Sequence, residues 1–147
     1  MKPTLLNNDT QYKIPSIDQF DTWIQTVIDH HGSFFQVSIE IVDELASQEL
    51  NNTYRNKNKS TNVLSFALDL PEEVEEDLIG DLVICAPVVE QEAIEQNKSL
   101  IQHWAHLTIH GTLHLLGFDH VKDDDAELME ALEVELLQKL GIANPYE

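Results

Sequence analysis

The chain has 147 residues, 42% of them apolar, with 27 acidic against 8 basic side chains and a net charge of −19. That length suits one domain able to bury most of its apolar surface, and the composition excludes an intrinsically disordered chain. No run approaches the ~20 apolar residues of a membrane span, the single cysteine, Cys85, excludes an internal disulfide, and the acidic balance taken alone argues against a nucleic-acid partner.

Met1 to Ile14 is polar and lacks the apolar core of a signal peptide. Together with the lone cysteine this makes the cytoplasm the expected compartment. Ser16 can cap a helix, with Gln19 in the capping-box position. Ile17, Phe20, Ile24, Val27 and Ile28 recur at helical spacing, so residues 16–30 read as an amphipathic helix that Gly32 ends. Phe35, Val37, Ile39 and Ile41 alternate with polar residues, the pattern of a strand with one buried face. Asp43 is placed to cap a short helix carrying Leu45, Ala46 and Leu50. Asn51, Asn52 and Asn56 to Lys59 then read as a polar loop.

Val63 to Leu68 predicts a second strand, Pro71 to Asp77 an acidic loop, and Leu78 to Cys85 a third strand. Gly80-Asp81 inside that strand suggests a bulge or a close backbone approach. Pro87 suits the first turn of a helix running to about Asn97. Ser99 with Gln102 starts another helix, which carries Leu100, Trp104, Leu107, Leu113 and Leu116. Asp123 or Asp124 caps a last helix with Leu128, Leu132, Leu136 and Leu137, and Gly141 stops it. The order is helix, strand, helix, strand, strand and three helices. It predicts a single α+β domain over residues 1–147, a small mixed sheet of about 3–4 strands packed with about 5 helices.

Acids cluster at Asp69–Asp81 and Asp123–Glu135, read as a solvated loop and a solvated helix face. Arg55, the only arginine, lies with Lys57 and Lys59 within five positions. Its planar fork suits a phosphate and it cannot be neutralised, but a surface arginine or one paired to an acid is an equally ordinary explanation.

The stretch that carries chemistry is His110-Gly111-Thr112-Leu113-His114-Leu115-Leu116-Gly117-Phe118-Asp119-His120. His110 and His114 are four apart and share one helix face. Gly117 can take a left-handed backbone and turn the chain so that His120 closes on the same ion. Three nitrogen donors with an open fourth position suit a catalytic zinc, and three imidazoles would also accept nickel or copper. The spacing is that of the zinc proteases written H-E-x-x-H-x-x-G-x-x-H, a zincin-like metal helix. Gly111 stands where those enzymes carry their glutamate base. Asp119 beside the third histidine reads as a turn former or as a partner orienting an imidazole. His103 and His106 lie on roughly the same stripe. A tetrahedral ion reaches only one pair a turn apart, so His106 reads as a buried or supporting group and Trp104 as core.

The histidine stretch resembles the signature of the YbeY family, bacterial rRNA-maturation endoribonucleases. Leu50-Asn51 with Tyr54-Arg55, Ser60 to Phe66, Gly80 to Cys85, and Leu140-Gly141 with Pro145-Tyr146 resemble family blocks in the family's order. The resemblance implies a single-strand-specific, zinc-dependent ribonuclease acting in 16S rRNA 3′-end processing and ribosome quality control. It implies one zinc ion held by His110, His114 and His120, with His114 and Arg55 as catalytic residues, Arg55 serving RNA binding or catalysis. It also implies rRNA or other single-stranded RNA and the small ribosomal subunit or its proteins as partners, without DNA or membrane. Two other readings stay open on the residues: a metalloprotease-like hydrolase, and a non-catalytic ribosome-assembly factor whose acidic face binds a basic protein.

Overall fold

A computed structural model describes residues 2–68, 77–118 and 122–146. Its elements are β1 (Thr4–Asn8), α1 (Ile17–His31), β2 (Gln36–Val42), α2 (Glu44–Arg55), β3 (Val63–Ala67), β4 (Leu78–Cys85), α3 (Ala86–Glu95), α4 (Leu100–Leu115) and α5 (Asp123–Lys139). The sheet order is β1-β2-β4-β3. β1 and β4 both run parallel to β2, while β3 pairs antiparallel with β4 at the edge. This is the expected mixed sheet and five helices of a small α+β domain. Among the described residues no helix is long and apolar enough to cross a membrane.

The pleat divides the core in two. Val37, Ile39, Ile41, Leu82 and Ile84 face α1, α4 and α5 and join Phe20, Ile24, Trp104, Ile109, Leu113 and Leu136 in the larger cluster. Val42, Leu64, Val83 and Cys85 face the other way and are covered by Ala46 and Leu50 of α2 with Val88 of α3. α4 contacts α1, α3, α5, β3 and β4, and ten of its sixteen residues are buried. A helix apolar nearly all round belongs in the middle of a fold. Each fully buried Leu or Ile contributes about 1.5–3 kcal/mol, so α4 is a fixed platform.

Local signals explain most boundaries. Ser16 accepts from the Gln19 backbone and Gln19 returns the bond, completing the capping box. Asp43 caps α2 and Ser99 accepts from Gln102 N. Gly80 combines both expected features. The β2–β4 register slips between Gln36 and Val37, where Leu78 and Gly80 are the successive partners. A β-carbon on Gly80 would also sit 2.5 Å from Phe66 O and 2.6 Å from Leu115 Cδ2.

Several expectations are corrected. Thr4–Asn8 forms a strand rather than a polar lead-in, because β2 offers it a parallel edge. α2 continues through Asn51 and Asn52 to Arg55 and ends where Asn56 takes the left-handed conformation. Lys122, not Asp123 or Asp124, occupies the cap position of α5; the three aspartates instead fill its first turn, where the helix dipole favours them. Leu45 and Leu128 are exposed, and Met129 takes the core place expected of Leu128. The expected acidic loop lies, apart from Asp77, outside the described residues.

Candidate metal centre

α4 carries His103, His106, His110 and His114 on one stripe, three or four residues apart. The helix approaches the sheet closely at Gly111. A β-carbon there would meet Leu82 Cδ2 at 2.7 Å and Ser65 Oγ at 3.2 Å, and Ser65 Oγ donates to Gly111 O. Gly111 therefore faces β3 and β4, and no side chain reaches the histidines from this position. Gly117 has φ +101°, the left-handed turn expected after the helix, and Phe118 N closes on Leu113 O at 3.1 Å.

Glu133 of α5 meets this stripe with 0% of its side chain exposed. His110 Nδ1 donates to its Oε1 in a short contact. His106 Nε2 lies 3.2 Å from its Oε2, and the Tyr146 hydroxyl donates to the same oxygen. Burial alone would raise the Glu133 pKa, but the bonds from His106 and His110, the nearby His110 charge and the bond from Tyr146 outweigh it and hold the carboxyl at about 2. Burial, with the bonded Glu133 carboxylate, pushes the Tyr146 phenol up. Glu133 is thus an acceptor at neutral pH and Tyr146 a donor. An ionised carboxylate can stay in the interior only when its oxygens are satisfied in this way.

The acceptor fixes the tautomers. In the neutral ring the proton of His110 sits on Nδ1 and Nε2 carries the lone pair; that atom stands 3.2 Å from His114 Nε2. The two rings stand at hydrogen-bond distance, and two nitrogens bound tetrahedrally to one zinc at 2.0–2.1 Å lie about 3.3 Å apart, so the same spacing also suits ligands to a shared ion. A second grouping overlaps it. His106, His110 and Glu133 each bring one ligand atom within 4.8 Å of the others and could hold a metal. The two groupings share His110. Imidazole and carboxylate donors accept several divalent metals and do not single one out.

His120, expected as the third histidine ligand, and Asp119 lie outside the described residues. Arg55 is exposed at the C-terminal end of α2, the helix whose Ala46 and Leu50 cover the smaller core cluster. Its neighbour Tyr54 packs edge-on against Phe66 at 5.1 Å, and Phe66 adjoins the Ser65 that touches Gly111. The loop after Arg55 is tied back to α2. Gln48 Nε2 donates to Asn58 Oδ1 at 3.0 Å, Asn51 Nδ2 to Lys59 O at 2.9 Å, and Ser47 Oγ to Thr61 O at 2.9 Å. Lys57 and Lys59 therefore extend from a fixed loop and are exposed.

Glu133 was not singled out from the sequence, and Tyr146 entered only as part of a block resembling the family, with no role assigned. Glu133 sat in an acidic run read as solvated, yet it keeps step with the buried Met129, Leu132, Leu136 and Leu137. An acid on the apolar stripe of a helix was the available signal. Another such pair stands one turn earlier on α4: buried His103 lies 3.0 Å from Glu92 Oε1, and Asn62 donates to the same carboxylate.

Compared with known proteins, residues 5–141 match the family model described as endoribonuclease YbeY. Among solved structures, the chain is similar to the solution structure of TM1509 from Thermotoga maritima. The likeness covers 95% of this chain and 91% of that one, at 23% identity and a TM-score of 0.59. At that identity it supports the fold.

Proposed function

The chain belongs to the YbeY endoribonuclease family, and from that premise we propose a single-strand-specific, zinc-dependent endoribonuclease acting in 16S rRNA 3′-end maturation and ribosome quality control in the cytoplasm. Family membership makes it a hydrolase of the nuclease class in rRNA processing; the strand preference, the cleavage site and the metal are the proposed part. Residues 1–147 form one metal-dependent hydrolase domain in this reading, and the small ribosomal subunit or its proteins bring it to its substrate.

The observation that carries the reading is the 3.2 Å separation of His110 Nε2 and His114 Nε2, with the other nitrogen of His110 committed to Glu133. In this reading His110 and His114 with His120 would hold one zinc ion. When bound, the ion supplies a Lewis acid that polarises a phosphoryl oxygen or lowers the pKa of water. Arg55 offsets the charge that builds on the phosphorus, and Lys57 and Lys59 extend the phosphate track. Packing at Gly111 disfavours peptide hydrolysis, because a glutamate base at that position would have to displace the Leu82 and Ser65 side chains.

A specific observation keeps one other reading alive. The net charge of −19 makes free RNA binding weak and strongly salt-dependent, as suits a non-catalytic assembly factor that docks on a basic ribosomal protein. One experiment separates the readings. Zinc-loaded protein is incubated with single-stranded rRNA fragments and with casein, with and without chelator, beside His114→Ala. Chelator-sensitive RNA cleavage that His114→Ala lacks is expected. Casein cleavage, or no cleavage of either substrate, overturns the ribonuclease reading.

A further inference from the structure

The chain after α5 folds back onto the metal helix. Ile142 N bonds Leu137 O at 2.9 Å, Lys98 Nζ donates to Pro145 O at 2.9 Å, and Tyr146 N donates to Asn144 Oδ1 at 2.8 Å. These bonds deliver the Tyr146 ring edge-on to His106, with centroids 5.4 Å apart, and its hydroxyl to Glu133 Oε2. His106 Nε2 reaches the same oxygen and also lies 3.2 Å from the Tyr146 hydroxyl. One carboxylate oxygen is thus held from two sides, and the other accepts from His110 Nδ1.

We propose that Glu133 and Tyr146 are positioning residues for the metal. Tyr146 and His106 fix the Glu133 carboxylate, which sets the ring orientation and tautomer of His110 and so presents Nε2 beside His114 Nε2. This rests on the reading that the ion is bound through His110 Nε2. A ligand imidazole ordinarily donates its second nitrogen to such a partner, which raises its basicity and removes rotational freedom that binding would otherwise have to freeze. Burial gives the arrangement its stiffness: Glu133 has no exposed side-chain surface, and α4 beneath it is packed on five elements. The C-terminal segment, remote in sequence from the histidines, thereby becomes part of the metal site. His106 belongs to the support rather than to the coordination sphere.

The test measures zinc affinity of the full chain by competition with a chromophoric chelator, and records the visible absorption of the cobalt-loaded protein. Glu133→Gln and Tyr146→Phe are expected to weaken zinc binding by about 10–100-fold, with the cobalt spectrum keeping the wild-type ligand set. His114→Ala is expected to lose tight binding altogether. Wild-type affinity in Tyr146→Phe and Glu133→Gln, with His114→Ala defective, overturns the positioning role and leaves the ligand reading standing. Wild-type affinity in His114→Ala with loss in His106→Ala overturns both, since the ion then sits on His106, His110 and Glu133. Tyr146→Phe removes one hydroxyl and keeps the ring, so the inference stays testable if Glu133→Gln does not fold.

Discussion

Gly111 of α4 lies against Leu82 of β4 so closely that a β-carbon on the glycine would stand 2.7 Å from Leu82 Cδ2. Leu82 is fully buried, so its methyls cannot withdraw without displacing neighbours. A helix-interior glycine ordinarily gains up to about 1 kcal/mol on becoming alanine. Here that gain is set against overpacking of about 1–3 kcal/mol. Gly111→Ala is therefore expected to be neutral to mildly destabilising, and Gly111→Glu, which restores the protease-like motif, to be strongly destabilising and to hydrolyse no casein. Urea denaturation of the two variants beside a peptidase assay checks this. A stable Gly111→Glu protein that cleaves casein would remove the packing argument against peptide chemistry.

Gly80 offers a harder case, because its nearest neighbour is backbone. A β-carbon would lie 2.5 Å from Phe66 O, and Phe66 belongs to the paired edge strand β3. Gly80→Ala is expected to cost at least about 1–3 kcal/mol and to displace β3, whose Ser65 holds Gly111 O. Its loss of stability should exceed that of Gly111→Ala, where only a side chain must move. Equal urea midpoints for the two variants would contradict that ranking.

Sequence signals sufficed where they were local. Ser16 with Gln19, Asp43 with Ala46, and the glycine after Leu116 act within a few residues, and the structure shows each. β1 was missed because Leu5 and Leu6 give little alternation and Leu5 stays exposed; the strand exists through its pairing to Val37 and Ile39 of β2. Asn51 reads as loop in isolation, but its buried side chain fastens Lys59 O, a contact made only in the folded chain. The histidine pair was legible for the same local reason as the caps, since four residues on a helix place both rings on one face. Glu133 was not, because charge counting sends an acid to the surface. Only the placement of α5 over α4 shows it enclosed by donors.

The Glu92–His103 pair gives the fold an acid limit. Burial alone would raise the Glu92 pKa, but the bonds from His103 and Asn62 and the charges of His103 and Lys98 outweigh it and lower it. A carboxyl with a lowered folded-state value contributes stability that is fully present above its unfolded value, ~4.5, and is lost as pH falls through the folded value. Wild type is therefore expected to exceed Glu92→Gln in Tm at pH 7 and at pH 5.5, with the gap closing progressively below pH ~4.5. Thermal melts at four or five pH values read it directly. A gap that stays constant down to pH 3 would assign the effect to packing rather than to the charge.

The basic loop bears on how so acidic a protein engages RNA. Arg55 ends α2, and Lys57 and Lys59 follow in a loop that Ser47, Gln48 and Asn51 hold to that helix, so their separations are set before RNA arrives. For single strands, each phosphate neutralised contributes about 0.7 to the slope of log K against log salt. Lys57→Gln with Lys59→Gln is accordingly expected to make that slope shallower by about 1.4 if each lysine meets one phosphate, with cleavage at saturating RNA little changed. Asn51→Ala acts differently. It leaves all three charges in place but frees the loop, so affinity should fall at every salt concentration while the slope is kept, because the ordering entropy now falls on the binding step. Fluorescence anisotropy with a labelled single strand over 50–300 mM salt distinguishes these outcomes. A double lysine variant with the wild-type slope would place the phosphate track elsewhere on the surface.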